Sequence, residues 1–295
     1  WWGWLSSQSY SIRPTDLLNT LCLFDTKKYR EWYLTGLFVM SNSQNYCRMI
    51  FSRMVLHRQF LSAAMCILLL AQLTSRSSTA AEYSPAAEQN SAVQEMLEVI
   101  QGYGMKDPEI LRAIERVPRH KFVPENKRKY SYDDTPLPIG YGQTISQPYI
   151  VAEMTRQLQL SATSKILEIG TGSGYQAAVL AEITPHVYSI EIIEPLLERA
   201  RKTLQENGYE DIRLLHADGY YGWPQAAPFD GIIVTCAAAH IPPPLIEQLA
   251  VGGRMLIPVG KRFGTQFLIL VTKNEDQSIT SRNLMAVRFV PLVRE

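Results

Sequence analysis

Along residues 161–295, apolar residues cluster in short runs, and the stretches between them carry apolar positions three and four apart. The runs are Ile166 to Ile169, Val187 to Glu191, Ile212 to Leu215, Phe229 to Thr235, Met255 to Val259, Gln266 to Thr272 and Val287 to Val293. Their length and composition predict strands, several of them buried on both faces. Between them, Gln176 to Ile183, Pro195 to Asn207 and Pro244 to Leu249 predict helices. Asn207-Gly208 and Gly252-Gly253 supply stop signals. Upstream, Val93 to Gln101, Pro108 to Val117 and Pro148 to Leu158 also predict helices, the last with proline in its first turn. Strands alternating with helices at this interval imply an α/β domain, doubly wound, with a mostly parallel sheet and helices on both faces.

The pattern changes near residue 82. Residues 1–81 hold eight Lys/Arg against three Asp/Glu, whereas the remainder holds 21 against 25. A chain with formal net charge +1 is therefore a basic leader joined to a mildly acidic domain. Within the leader, Met54-Val-Leu-His-Arg58 precedes the apolar run Phe60 to Leu73 and the small-residue exit Thr79-Ala80-Ala81. This order predicts a secretory signal peptide over 54–81, cleaved after Ala80 or Ala81. The apolar run is short for a membrane span, so no stable membrane anchor is expected. Residues 1–53 begin at Trp1, show no sustained periodicity, and are read as a non-native or upstream-translated extension. The working domain is then 82–295, a helical segment at 90–160 ahead of an α/β core at 161–295. Its location is periplasmic or secreted where the signal is used, and cytoplasmic otherwise. Of Cys22, Cys47, Cys66 and Cys236 only the last survives cleavage, so the domain has no internal disulfide and no metal-ligand cluster.

Lys165-Ile-Leu-Glu-Ile-Gly-Thr-Gly-Ser-Gly-Tyr175 carries the clearest chemistry. A buried strand breaks into three alternate glycines, and a helix comes directly after them. Bare backbone at that spacing turns sharply and lets a ligand lie against the main chain, with helix N–H groups facing it. A dinucleotide fingerprint would put its third glycine at position 175, which is Tyr175. The pattern is instead Glu-x-Gly-x-Gly-x-Gly, led by Glu168, and it resembles the S-adenosylmethionine loop of class I methyltransferases. Glu191 ends the next strand about 20 residues on, where a ribose-binding carboxylate belongs.

Between the early helices and the first strand runs an irregular stretch from Tyr132 to Pro148, and a long ordered loop beside such a site is usually functional. Its segment Leu137-Pro-Ile-Gly-Tyr-Gly-Gln-Thr-Ile-Ser-Gln-Pro-Tyr149 resembles the signature of protein-L-isoaspartate O-methyltransferases, the bacterial branch in particular. Arg119-His-Lys-Phe-Val-Pro124, Glu168 to Tyr175, Ala217-Asp-Gly219 and Val287-Arg-Phe-Val-Pro-Leu292 match the same family in collinear order.

The resemblance implies a Rossmann-like class I methyltransferase fold. It also implies methyl transfer from S-adenosylmethionine to the misplaced carboxylate of L-isoaspartyl residues, with S-adenosylhomocysteine as product and no metal. The partners are isoaspartyl-containing proteins and peptides, not nucleic acid, and the enzyme is expected to be a monomer. Ser146 would lie beside the reacting carboxylate, with Gln143, Thr144 and Ile145 shaping the same loop. Val290 and Leu292 would lie near the bound peptide. Glu168, Gly170, Thr171, Gly172, Gly174 and Tyr175 would form the cofactor loop. Glu191 would take the ribose hydroxyls and Asp218 the adenine amino group, with Gly219 leaving room for the ring. Three of these have simpler readings: Ser146 as a helix N-cap, Asp218-Gly219 as an ordinary turn, and Val290 and Leu292 as strand core.

Other functions fit the chain less well. The acidic domain lacks the basic footprint of an RNA methyltransferase, and a small metabolite acceptor would not call for the Gln143 to Tyr149 loop. A non-catalytic cofactor binder is the remaining alternative. His120, His186, His216 and His240 are scattered and are read as structural or solvent-facing.

Overall fold

In the computed structural model, which describes residues 85–261 and 264–294, six helices and nine strands keep to the predicted alternation. The readings for residues 1–53 and 54–81 lie outside the described residues. Helices α1 (Pro85–Gly102) and α2 (Pro108–Arg116) lead through two 3₁₀ turns, Arg119–Phe122 and Glu125–Tyr130, to strands β1 (Leu137–Gly140) and β2 (Gln143–Ile145). Helix α3 (Pro148–Leu158) precedes β3 (Ile166–Ile169), α4 (Tyr175–Ala181), β4 (Val187–Glu191), α5 (Glu194–Glu206) and β5 (Arg213–His216). Strand β6 (Phe229–Val234), helix α6 (Pro243–Gln248), and strands β7 (Leu249–Gly260), β8 (Gln266–Lys273) and β9 (Ile279–Val287) complete the order.

Seven strands form one sheet in the order β5-β4-β3-β6-β7-β8-β9. The pairings from β5 through β7 are parallel, and β8 and β9 close the edge as an antiparallel meander. Chain order reverses at β3, whose neighbours are β4 and β6, so a crevice opens beyond the carboxyl ends of these strands. Successive side chains alternate between two cores. Ile166, Ile233, Leu256 and Leu270 face the helices α1 to α5, whereas Leu167, Ile232, Met255 and Val271 face the other layer. That second layer is thinner, built on α6 and on the 3₁₀ turns Gly219–Tyr221 and Pro224–Ala226.

The structure revises two expectations. The last strand is not Val287 to Val293: β9 ends at Val287, and the residues beyond it form an extended strap with a single bridge, Ala237 to Pro291. The true strand escapes the apolar-run criterion because it lies at the sheet edge with mostly exposed residues, Ile279-Thr-Ser-Arg-Asn among them. The apolar residues of the strap are partly buried against strand ends, and Pro291 has no N–H for a ladder. The irregular stretch, in turn, contains the antiparallel hairpin β1-β2. Its turn residues Tyr141 and Gly142 have φ of 53° and 71°, the left-handed pair that a two-residue hairpin loop requires.

Candidate active site

The glycine turn sits at the end of β3, and Gly170, Gly172 and Gly174 all have positive φ (96°, 54° and 88°). A Cβ on Gly170 would lie 2.6 Å from Thr235 Oγ1, so this position needs both glycine's conformation and its lack of bulk. Glu191 ends β4 beside the turn. Its Oε2 accepts from Gly172 N–H (2.8 Å) and its Oε1 from Ile193 N–H (2.9 Å), which fixes the carboxylate at the mouth of a cavity. Gly170, Gly172, Glu191, Gly219, Thr235 and Cys236 line one wall of that cavity, and Val290 to Val293 the other. Gly219 packs flush on Ile169, with no space for a Cβ.

Glu168 lies one layer deeper. It is fully buried, its Oε2 accepts from Ser189 Oγ, and Ser189 Oγ lies 2.6 Å from Thr171 Oγ1. Its Oε1 has no hydrogen-bond partner. Burial pushes the carboxyl up to about 8, against the opposing pull of the Ser189 hydrogen bond and with further help from Glu191. A cationic group reaching this oxygen would supply what the protein leaves missing.

A second cavity of about 460 Å³ adjoins the first. Thr144, Ser146, Gln147, Ile150, Thr235, Arg288 and Phe289 are among its walls, and Thr144 and Thr235 belong to both cavities. Thr235 Oγ1 donates toward Ile169 O (3.0 Å) and Gly170 O (2.8 Å), tying the end of β6 to the glycine turn.

Ser146 is held from behind. Arg119, fully buried in a 3₁₀ turn, donates through Nη2 to Ser146 O (2.6 Å) and through Nε to Ser131 O (2.7 Å). Its guanidinium lies 4.7 Å from the ring centre of Tyr175. Burial lowers the Arg119 pKa and raises that of Tyr175 to about 12, so the phenol is neutral, and a guanidinium keeps its charge in proteins. Arg119 Nη1 and Tyr175 Oη are buried without partners. The simpler reading of Ser146 does not hold, because Gln147 is the N-cap of α3. Asp134 serves that helix end instead, accepting from Tyr149 N–H (2.8 Å) and Gln147 Nε2 (2.6 Å).

The strap carries Val290 and Leu292 to the glycine-loop cavity rather than to the one beside Ser146. It is pinned by Ala237, whose N–H donates to Val290 O and whose carbonyl accepts from Leu292 N–H, both at 2.8 Å. Its end is tied by Arg294, which donates to Asp218 Oδ2 (2.7 Å) and stacks 3.7 Å above the Tyr220 ring. Asp218 Oδ1 caps the adjoining turn at Tyr220 N–H (3.0 Å). Gln143 lines the glycine-loop cavity, Ile145 is core, and Thr171, Gly174 and Tyr175 pack behind the turn. Sequence patterns do not single out Thr235 or Gln266, and they place Arg119 in a family-like motif without giving it a role. A residue closing a buried strand beside the glycine turn is a positional signal for Thr235. For the other two only folding creates the contact. Among the described residues no cluster of His, Cys, Asp or Glu could hold a metal ion, and no helix is long and apolar enough to cross a membrane.

Residues 90–295 match the family model described as Protein-L-isoaspartate(D-aspartate) O-methyltransferase. A protein-L-isoaspartate O-methyltransferase of Nitrosospira multiformis is 55% identical over 210 residues, 70% of this chain and 89% of that one. The protein of the same name from Opitutus terrae is 60% identical over 189 residues, 64% and 81%. Among solved structures, a protein-L-isoaspartate O-methyltransferase of Plasmodium falciparum in complex with S-adenosyl-L-homocysteine superposes with a TM-score of 0.61 at 25% identity. That match covers 68% of this chain and 98% of the other.

Proposed function

This chain belongs to the protein-L-isoaspartate(D-aspartate) O-methyltransferase family, and from that premise we propose how its own residues carry the reaction. The activity is methyl transfer from S-adenosylmethionine to the free carboxylate of L-isoaspartyl residues in damaged proteins, which starts their repair through a succinimide.

The site fits the cofactor on its own geometry. The glycine turn offers bare backbone, Gly219 leaves a flat floor, and Glu168 presents an unpartnered oxygen. Bound there, S-adenosylmethionine supplies a methyl group on a positively charged sulfur, which leaves with the bonding electrons as a carboxylate oxygen takes the methyl. Glu191 accepts from the ribose hydroxyls with the lone pairs that Gly172 and Ile193 leave free. Asp218 directly precedes Gly219 of the cavity wall, and each of its oxygens keeps a second lone pair for the adenine amino group beside its bonds to Tyr220 and Arg294. Gly170, Thr171, Gly172, Gly174 and Tyr175 set the shape of the turn.

Ser146 donates its hydroxyl hydrogen to the substrate carboxylate, and Thr144 and Thr235 line both cavities. No general base is needed, because a carboxylate is ionised at neutral pH. The chain's contribution is alignment and exclusion of water, with the strap over Val290 and Leu292 serving the second. The juxtaposition of the glycine-loop cavity and the Ser146 cavity through Thr144 and Thr235 carries this reading.

The test is methyl transfer from labelled S-adenosylmethionine to matched peptides holding L-isoaspartate or L-aspartate. Base-labile label is expected on the first alone. Ser146→Ala should lower kcat by roughly 10-fold, the worth of one hydrogen bond to a charged group, with cofactor affinity unchanged. Unaltered turnover would remove Ser146 from the mechanism.

The proposal extends to residues 54–81 as a signal peptide and to a monomer working outside the cytosol. The pattern of the leader supports the first. N-terminal sequencing of the protein from a periplasmic fraction checks it.

A further inference from the structure

The Ser146 cavity has one charged side chain in its walls, Arg288, and no carboxylate. Arg288 is exposed and takes part in no ion pair among the described residues. Its backbone is nonetheless fixed. Buried Gln266 grips the next peptide from both sides, accepting from Phe289 N–H at Oε1 (2.6 Å) and donating Nε2 to Phe289 O (3.1 Å). A cation with no ion-pair partner among the described residues is thus fastened by its main chain at the edge of a cavity otherwise lined by neutral groups.

We propose that Arg288 is a specificity-determining residue that receives the isoaspartyl carboxylate as the peptide enters, an inference that rests on the proposed methyltransferase function. The chemistry makes such a contact one-way. The substrate arrives with a full negative charge, that charge is falling in the transition state, and the methyl ester that leaves is neutral. A cation at the cavity edge therefore favours bound substrate over both the transition state and the product. It draws the anion in and has little hold on the ester. Arg288 accordingly governs KM and the discrimination between charged and neutral peptides, whereas kcat depends on alignment at Ser146.

The experiment compares an isoaspartyl peptide with its isoasparaginyl counterpart, in which a neutral carboxamide replaces the carboxylate. Dissociation constants are measured for the wild-type chain, Arg288→Gln and Arg288→Lys, with S-adenosylhomocysteine present to prevent turnover. Wild type should bind the charged peptide roughly 10-fold more tightly, the scale of one charge-assisted contact at a partly solvated site. In Arg288→Gln that ratio should fall to near unity, in Arg288→Lys it should be partly kept, and added salt should erode it in wild type and Arg288→Lys but not in Arg288→Gln. KM for the isoaspartyl peptide should rise by the same factor in Arg288→Gln, with kcat unchanged or higher. Because the readout is a ratio within each variant, partial loss of folded protein cancels from it. Equal weakening of both peptides, or no change in the ratio, would overturn the role of Arg288. A wild-type chain that methylates no isoaspartyl peptide would instead remove the functional reading beneath it.

Discussion

Arg119 Nη2 donates to the main-chain oxygen of Ser146 at 2.6 Å, joining a fully buried cation to the residue proposed to meet the substrate carboxylate. Since Nε also holds Ser131 O, one side chain fixes both ends of the stretch that contains the β1-β2 hairpin. Replacing Arg119 with methionine should orphan two carbonyls and cost about 2–4 kcal/mol. A thermal melt should show a midpoint lower by roughly 5–15 °C. Arg119→Lys keeps the charge but not the fork, so its kcat should fall while its affinity for S-adenosylhomocysteine holds. A parallel loss of both would reduce Arg119 to a folding residue.

Glu168 gives the ligand-free protein a pH dependence. In the unfolded chain its carboxyl ionises near the ordinary value of 4.5, and in the fold near 8. Between those values the native form keeps a proton that the unfolded form gives up. The stabilising contribution is therefore complete below the lower value and is lost as pH rises through the upper. Glu168→Gln should lack this loss. The melting temperature of wild type should drop relative to the variant between about pH 4.5 and pH 8 and run parallel to it above that. A constant difference between them would refute it.

Gly170 combines a φ of 96° with a Cβ position 2.6 Å from Thr235 Oγ1. Alanine there should cost about 1–3 kcal/mol in backbone strain alone and push Thr235 away from the turn. Calorimetric titration with S-adenosylhomocysteine should show affinity reduced by about 10-fold or more, as that strain energy implies. Thr235→Ser in the same background removes one methyl of the crowded side chain and should not restore it, because the backbone strain remains.

Arg294 ties the strap through its ion pair with Asp218 and its stacking on Tyr220. Such contacts at an exposed site each contribute little. Arg294→Ala should therefore raise the S-adenosylhomocysteine dissociation rate by a modest factor, roughly 2–5-fold, with kcat held. Stopped-flow displacement reads this directly, and an unchanged rate would mean that the strap does not gate the cofactor.

Much of this architecture is legible in the chain. The short, mostly apolar runs at β3, β4, β6 and β7 announce buried strands, and the glycines after Ile169 announce the turn. Legibility fails where burial is one-sided or absent. Strand β9 is exposed and polar, so nothing in its pattern outweighs the apolar strap beyond it. Asp134 is not visible as the partner of the α3 N-terminus, since a cap reaching back from 15 residues upstream leaves no local signature.

The sequence by itself determined the fold class, the glycine turn with its acids at Glu168 and Glu191, and the family, because each is written in local periodicity or in contiguous motif. Tertiary structure alone decided which groups share a cavity. It brought Thr235 to both cavities, sent Val290 and Leu292 to the glycine-loop cavity, engaged Asp218 with Arg294, and placed Arg288 in the Ser146 cavity without an ion pair among the described residues. The physical reason is distance along the chain. Asp218 and Arg294, 76 positions apart, meet only because the sheet gathers its strand ends at one edge, and no local pattern encodes which side chains that edge brings face to face.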